Sequence, residues 1–108
     1  MHPNENEITV EQLKEKLDRG EKPFLLDVRE VQEYKISNLG GHLIPMSLIP
    51  VRMNELDPAK EIIVHCHHGS RSQSVVNYLL KHGFTKVKNL IGGIDRWSIK
   101  IDPAVKRY

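Results

Sequence analysis

The segment Cys66-His67-His68-Gly69-Ser70-Arg71 places a lone thiol, a glycine and an arginine within one short stretch. Cys66 ends an apolar, β-branched run, Glu61-Ile62-Ile63-Val64-His65-Cys66, which reads as a strand. Val75, Val76, Leu79 and Leu80 then recur at helical spacing, predicting a helix from Ser72 to His82 that stops at Gly83. The span His67 to Arg71 would therefore join a strand end to a helix start. A helix N-terminus offers unpaired N–H groups and roughly half a positive charge. Arg71 adds a full charge. All three effects favour a thiolate at Cys66. Gly69 permits φ > 0, which a loop needs if its amides are to curl inward as an anion nest. The hydroxyls of Ser70 and Ser72 can add donors, or Ser72 caps the helix. Such a cradle would hold a persulfide anion on Cys66, a covalent intermediate of nucleophilic catalysis.

Plainer readings exist for each of these residues. A lone cysteine is often a small buried hydrophobe; here strand, glycine loop, arginine and helix in sequence favour the nucleophile. His65, Cys66, His67 and His68 invite a metal, but neighbours on a strand point to opposite faces, so no metal is expected. His67 and His68 are expected on the loop rim, partly exposed, touching substrate, tuning the thiolate or standing in solvent. His42 and His82 read as structural or surface residues. Asp27 and Arg29 close the run Phe24-Leu25-Leu26-Asp27-Val28. Their preferred reading is a local ion pair or loop-anchoring hydrogen bonds. The alternative is that they support the Cys66 loop from behind, as Ser72 would.

The elements that must position this loop alternate between strand and helix. Thr9 and Gln12 have the form of a capping box, opening a helix through Val10, Leu13 and Leu17 that Gly20 ends. Phe24 to Val28 is a buried strand. Glu30 to Lys35 is a short helix, Asn38 to His42 a turn, and Leu43-Ile44 a brief strand. Ile49 to Leu56 reads as a helix with Pro50 in its first turn. Val87 to Leu90 is the last strand, and a turn at Ile91-Gly92-Gly93 leads to a short helix around Ile94 to Ser98. Ile94 and Trp97 are expected in the core. The tail Ile101 to Tyr108 has no clear period. The alternation predicts an α/β domain with a mainly parallel sheet, in which ligands bind outside the carboxyl ends of the strands.

Bulk properties limit the choices further. At 108 residues the chain is expected to form one domain. Its 16 basic and 14 acidic side chains nearly balance, for a net charge of +2, and no long run of like charge occurs, which excludes nucleic acid as a partner. One cysteine excludes an internal disulfide and suits a reducing compartment. Without a resolving cysteine in the chain, anything carried on Cys66 must pass to an outside acceptor or a second subunit. The polar, acidic start Met1-His2-Pro3-Asn4-Glu5-Asn6-Glu7 is not a secretory signal, and no apolar stretch reaches the roughly 20 residues that span a bilayer. The protein is therefore expected to be cytoplasmic, with no membrane partner.

Four ordered motifs now acquire a shared meaning. The stretch Cys66 to Ser72 resembles the active-site loop of the rhodanese family. Leu26-Asp27-Val28-Arg29 with Glu33-Tyr34 resembles its first motif, Gly41-His42-Leu43-Ile44-Pro45 its Gly-His-Ile turn, and Leu90 to Trp97 its closing Gly-Gly turn and helix. The resemblance covers about residues 6 to 100 and leaves the tail 101 to 108 outside. It implies a central, mainly parallel five-stranded sheet flanked by helices on both sides. It implies Cys66 as the persulfide-forming nucleophile and His67, His68, Gly69, Ser70 and Arg71 as its cradle, with no cofactor beyond the covalent sulfur. The implied donor is thiosulfate or a persulfide, a small anionic sulfur donor. The implied acceptor is cyanide, a thiol or a sulfur-carrier protein. Thiosulfate-specialised members often carry a basic residue after the cysteine, where this chain has His67. The loop and tail resemble those of rhodanese domains fused to adenylating enzymes of cofactor sulfur transfer.

Two other functions on the same scaffold compete. Phosphatases and arsenate reductases of this fold need a roomier loop. The cell-cycle phosphatases place arginine six residues after cysteine, against five here. One residue fewer removes about 3.5 Å of contour and suits one sulfur better than a tetrahedral oxyanion. A non-catalytic binding module or persulfide sensor is the other alternative.

Overall fold

The computed structural model describes residues 4–108. Met1 to Pro3, the start of the polar leader, lie outside the described residues. Five strands alternate with five helices: β1 (Glu7–Ile8), α1 (Val10–Asp18), β2 (Phe24–Asp27), α2 (Val31–Ile36), β3 (His42–Leu43), α3 (Ile49–Arg52), β4 (Ile62–His65), α4 (Ser70–Leu80), β5 (Val87–Leu90) and α5 (Gly93–Lys100). The strands form one sheet in the order β1-β5-β4-β2-β3, with every neighbouring pair parallel. This is the expected α/β architecture. Strand β1 was not expected, because two residues are too short to show a period.

Alternation along β4 sorts the core into two layers. Ile62 and Val64 join Val75, Val76 and Leu79 of α4, Ile49 of α3 and Leu26 of β2. Ile63 points the other way, into a cluster with Val10 and Leu13 of α1 and Trp97 of α5. The central strand β4 is buried on both faces, as expected of a parallel strand covered by helices. No helix among the described residues is long and apolar enough to cross a membrane.

Local signals held where they were chemically specific. The Thr9 hydroxyl accepts from the Gln12 backbone N–H at 3.1 Å, and the Gln12 side chain accepts from the Thr9 N–H at 2.9 Å, closing the capping box. Other boundaries moved. The expected helix Ile49 to Leu56 is α3 flanked by 3-10 turns at Met46–Leu48 and Met53–Glu55. Within that span only Ile49 and Leu56 are buried, so no continuous apolar stripe sustains a longer helix. The brief strand is His42–Leu43 rather than Leu43-Ile44, although the Ile44 N–H still bonds the Asp27 carbonyl at 2.9 Å. Leu80, expected on the apolar face of α4, is exposed.

The segment after α5 is not a loose appendage. Ile101 and Val105 pack against the α1–α5 cluster, and the Ser98 hydroxyl donates to the Val105 carbonyl. This anchoring carries the remaining residues back across the carboxyl ends of the strands.

Candidate active site

Strands β2 and β4 end side by side, with Asp27 opposite His65. Cys66 follows immediately and is 1% exposed. Its sulfur therefore lies on the floor of the loop rather than at its mouth. The backbone N–H of Gly69 donates to Sγ at 3.1 Å and that of Ser72 at 3.4 Å. Ser72 Oγ is 3.3 Å from Sγ. The two N–H groups converge on the position where negative charge would reside, the arrangement an anion nest requires.

Helix α4 begins at Ser70, two residues before the expected Ser72, and Gly69 is its N-cap at φ 115°. A left-handed cap explains the difference. Gly69 turns the chain sharply enough that Ser70, Arg71 and Ser72 already form the first helical turn. Ser72 consequently does not cap the helix. It sits inside the turn, fully buried, and touches Cys66 directly instead of supporting the loop from behind. Ser70 is exposed, and its carbonyl accepts from the Ser74 hydroxyl at 3.4 Å.

The loop carbonyls are held outward by helix α5. The N–H groups of Ile94 and Asp95 donate to the carbonyls of Cys66 and His67 at 3.0 and 3.1 Å. This close approach requires glycine at Gly93, where φ is +61° and a Cβ would lie 2.5 Å from the His67 oxygen and 2.6 Å from that of Cys66. The closing Gly-Gly turn is thus a part of the wall of the Cys66 loop. Asn89 of β5 braces it from inside. Its Nδ2 donates to the Gly69 carbonyl at 3.2 Å, and its Oδ1 accepts from Ser72 Oγ.

Arg71 does not point its charge into the cradle. It forms a bidentate pair with Glu33 of α2, Nη1–Oε1 2.7 Å and Nη2–Oε2 3.0 Å. The Tyr108 hydroxyl donates to the same carboxylate at 2.7 Å, and the Glu30 backbone N–H does so at 3.0 Å. Arg71, first among these partners, holds the Glu33 carboxyl at about 2, far below the usual carboxylate range. The pairing in turn raises Arg71 above its ordinary value. The expectation that Arg71 lends a free full charge to Cys66 is therefore corrected: that charge is neutralised at the rim.

Asp27 and Arg29 form the expected ion pair. Both are fully buried, with Nε–Oδ1 2.9 Å and Nη2–Oδ2 2.7 Å. Arg29 also donates to the Ser37 carbonyl at 2.8 Å, closing the end of α2, and to the Tyr108 hydroxyl at 3.0 Å. Among the described residues no hydrogen bond or ion pair joins the side chains of this pair to residues 66–71. The connection runs Arg29–Tyr108–Glu33–Arg71, so the pair supports the loop only indirectly.

His67 is partly buried and His68 exposed, as expected of rim residues. Their rings do not diverge: the centroids are 3.8 Å apart, because both residues lie on the curled loop and not on the strand. Ligand-capable atoms of His67, His68 and Asp95 fall within 4.8 Å of one another. The strand-alternation argument against a metal therefore does not apply here. Asp95, however, is already engaged by Arg107 at 2.8 Å. His67 stacks on the Tyr108 ring at 4.1 Å between centroids and 10° between planes. Burial, reinforced by neighbouring His68, lowers its pKa.

Glu33, Asn89, Asp95 and Tyr108 had no assigned role in the sequence reading. Asn89 carried a signal, being a polar residue in an otherwise apolar strand. Glu33 was quoted as part of a motif only. Tyr108 and Asp95 gave no local sign.

Comparison with known proteins now adds to this geometry. The Rhodanese-like domain family matches residues 9–100. A protein of Allochromatium vinosum named Sulfurtransferase is 36% identical over 94 residues, covering 86% of this chain and 88% of its own length. The Arabidopsis thaliana protein named Adenylyltransferase and sulfurtransferase MOCS3 is 35% identical over 123 residues, covering 98% of this chain. The crystal structure of a rhodanese-like domain protein from Staphylococcus aureus superposes with a TM-score of 0.82 at 30% identity, covering 95% of this chain and 98% of that one. The chain spans only part of some relatives: 26% of the Arabidopsis protein, and 58% of Bacillus subtilis YrkF, whose name describes a sulfur carrier.

Proposed function

The chain belongs to the rhodanese-like domain family, and on that premise we propose that it is a sulfurtransferase that moves sulfane sulfur through a persulfide on Cys66. The observation that carries this reading is the convergence of the Gly69 and Ser72 N–H groups on Sγ of a single buried cysteine. In the first step the Cys66 thiolate attacks the outer sulfur of the donor. The donor's S–S bond breaks and its remaining group leaves with the electron pair. In the second step an acceptor nucleophile attacks the outer sulfur of the persulfide, and the Cys66 thiolate leaves.

The protein's contribution is electrostatic and positional. The loop amides are fixed before reaction by Asn89, Gly69 and the α5 N–H groups, so they need no reorganisation when charge arrives. Arg71 is committed to Glu33, which supports a cradle for one sulfur over one for a tetrahedral oxyanion that would call on a guanidinium. The candidate donors are thiosulfate and persulfides. The candidate acceptors are cyanide, a thiol and a sulfur-carrier protein, the last supported by the carrier and adenylyltransferase names among the relatives.

The test is intact-protein mass spectrometry after incubation with thiosulfate or a persulfide, with Cys66→Ser as control. The parent is expected to gain one sulfur and the variant none. A parent that gains no sulfur from any such donor overturns the proposal.

A further inference from the structure

We propose that Glu33 is a specificity-determining residue: by neutralising Arg71 at the rim of the loop, it disfavours doubly charged inorganic donors and leaves the site to singly charged organic sulfane donors. This inference rests on the sulfur-transfer reading above and names the donor class of that same site.

Three observations carry it. First, the Glu33 carboxylate is fixed by four donor groups, from Arg71 (twice), Tyr108 and the Glu30 backbone, so its charge is a permanent feature of the rim. Second, two further guanidinium groups near the site are matched in the same way: Arg107 pairs with Asp95 at 2.8 Å, and Arg29, behind the loop, with Asp27 at 2.7 Å, whereas Arg96 lies over Gly92 on the α5 side without a carboxylate partner among the described residues. Third, the loop from Cys66 to Ser72 supplies no other fixed cation, since Arg71 is its sole lysine or arginine. A donor approaching Cys66 over the Arg71 side of the rim thus meets directional N–H groups but little net positive charge.

Such a site discriminates by charge number. The Coulomb interaction of one fixed charge with a dianion is twice that with a monoanion at equal distance. Thiosulfate enters as a dianion: Cys66 thiolate plus S–SO3(2−) gives the Cys66 persulfide anion plus sulfite, SO3(2−). Methanethiosulfonate enters as a monoanion: Cys66 thiolate plus CH3SO2–S(−) gives the same persulfide anion plus methanesulfinate. The chemistry at sulfur is alike in both, and the donor charge differs by one.

The experiment measures how fast Cys66 gains one sulfur, by intact mass, at a series of concentrations of each donor. It uses the parent, Glu33→Gln and Glu33→Asp. Glutamine retains a side-chain oxygen for the Glu30 N–H, a role in which glutamine commonly replaces glutamate. In Glu33→Gln, loading by methanethiosulfonate is expected to rise about twofold and loading by thiosulfate about fourfold, the square of that factor, mostly through a lower half-saturating concentration. The gain with thiosulfate should shrink as salt is added. Glu33→Asp, which keeps the charge, should leave the ratio of the two donors at the parent's value. If both donors change by the same factor in Glu33→Gln, or Glu33→Asp shifts their ratio as much as glutamine does, the role of Glu33 is overturned while sulfur transfer stands. If neither donor loads the parent or the variants, the sulfur-transfer reading fails and this inference falls with it.

Discussion

Ser72 donates its hydroxyl proton to Oδ1 of Asn89, and the same Ser72 oxygen lies 3.3 Å from Sγ of Cys66. With its proton directed at Asn89, the hydroxyl can only accept from the cysteine. It can donate to a charged sulfur only by turning away from Asn89. Asn89 therefore sets the resting direction of the hydroxyl nearest Cys66, while its Nδ2 fixes the Gly69 carbonyl at 3.2 Å.

Replacing Asn89 should damage both functions. Asn89→Ala leaves the Gly69 carbonyl without this donor, and the unfolding free energy should fall by about 1–3 kcal/mol. The Gly69 peptide, no longer anchored, would hold its N–H on Sγ less well, and the rate at which Cys66 takes up sulfur should fall roughly tenfold, a change that needs only about 1.4 kcal/mol. Chemical denaturation and mass-resolved loading measure the two separately. Gln73→Ala removes an outer partner of Asn89 at 3.2 Å and should change neither appreciably. Equal effects from the two substitutions would refute a specific role for Asn89.

The glycines separate strain from contact. Gly93 has φ +61° and two carbonyl oxygens where a Cβ would go, whereas Gly20 has φ +84° and nothing within 4 Å of that position. Gly20→Ala should cost about 1 kcal/mol, the penalty for a left-handed alanine, with loading unchanged. Gly93→Ala adds a clash with the backbone of the Cys66 loop. It should cost about 2 kcal/mol or more and nearly abolish loading. Thermal unfolding together with the loading assay decides this, and a Gly93→Ala protein that loads normally would refute the account of the loop wall.

A further expectation concerns acid stability. His65 is fully buried, and neither ring nitrogen has a hydrogen-bond partner among the described residues. Burial pulls its pKa down to about 4. The unfolded chain takes up this proton near pH 6.5, while the folded protein does so only near 4. Between those values the unfolded state binds more protons, so stability falls as pH falls. The loss approaches about 3 kcal/mol at the low end of the window. The carboxylates of Glu33 and Glu55, held at about 2 instead of 4.5, contribute their own loss only as pH falls from 4.5 toward 2. Urea unfolding from pH 7.5 to 4.5 should show the slope in the parent and a flatter one in His65→Leu. Parallel slopes would assign the acid sensitivity elsewhere.

The parts of the site that were legible in the sequence are those encoded locally. The β-branched run of β4 and the spacing of Val75, Val76 and Leu79 define a strand and a helix, and so place Cys66 between them. The helix start was read two residues late, because a glycine N-cap in the left-handed region leaves no side-chain signature of the Ser/Thr/Asp/Asn kind. The electrostatics of the rim were not legible, because they depend on distant pairs. Arg71 meets Glu33 across 38 positions, and Tyr108 meets Glu33 across 75. A charged residue in sequence shows its own sign but not its partner, and the partner decides whether that charge is available to a substrate. Tyr108 follows a segment without periodicity. What returns it to the loop is the packing of Ile101 and Val105, which becomes meaningful only once the α1–α5 layer exists.

Tyr108 and His67 supply the last prediction. Their rings stack at 4.1 Å, and Tyr108 thereby covers much of the imidazole from water. Burial is the largest cause of the lowered His67 pKa, followed by the neighbouring His68. Stripping the cover should raise that pKa, because a hydrated imidazolium is no longer penalised. Tyr108→Ala is expected to move the His67 titration upward, whereas Tyr108→Phe keeps the ring and should leave it nearly in place. The phenylalanine variant still loses the hydroxyl that accepts from Arg29 and donates to Glu33, and should cost about 1 kcal/mol of stability. NMR titration of the imidazole protons reads the first effect and thermal unfolding the second. If alanine and phenylalanine shift His67 equally, the cause is the lost hydroxyl and its hold on Glu33 rather than the stacked ring. The two substitutions thus separate the two ways in which one residue after α5 reaches the Cys66 loop.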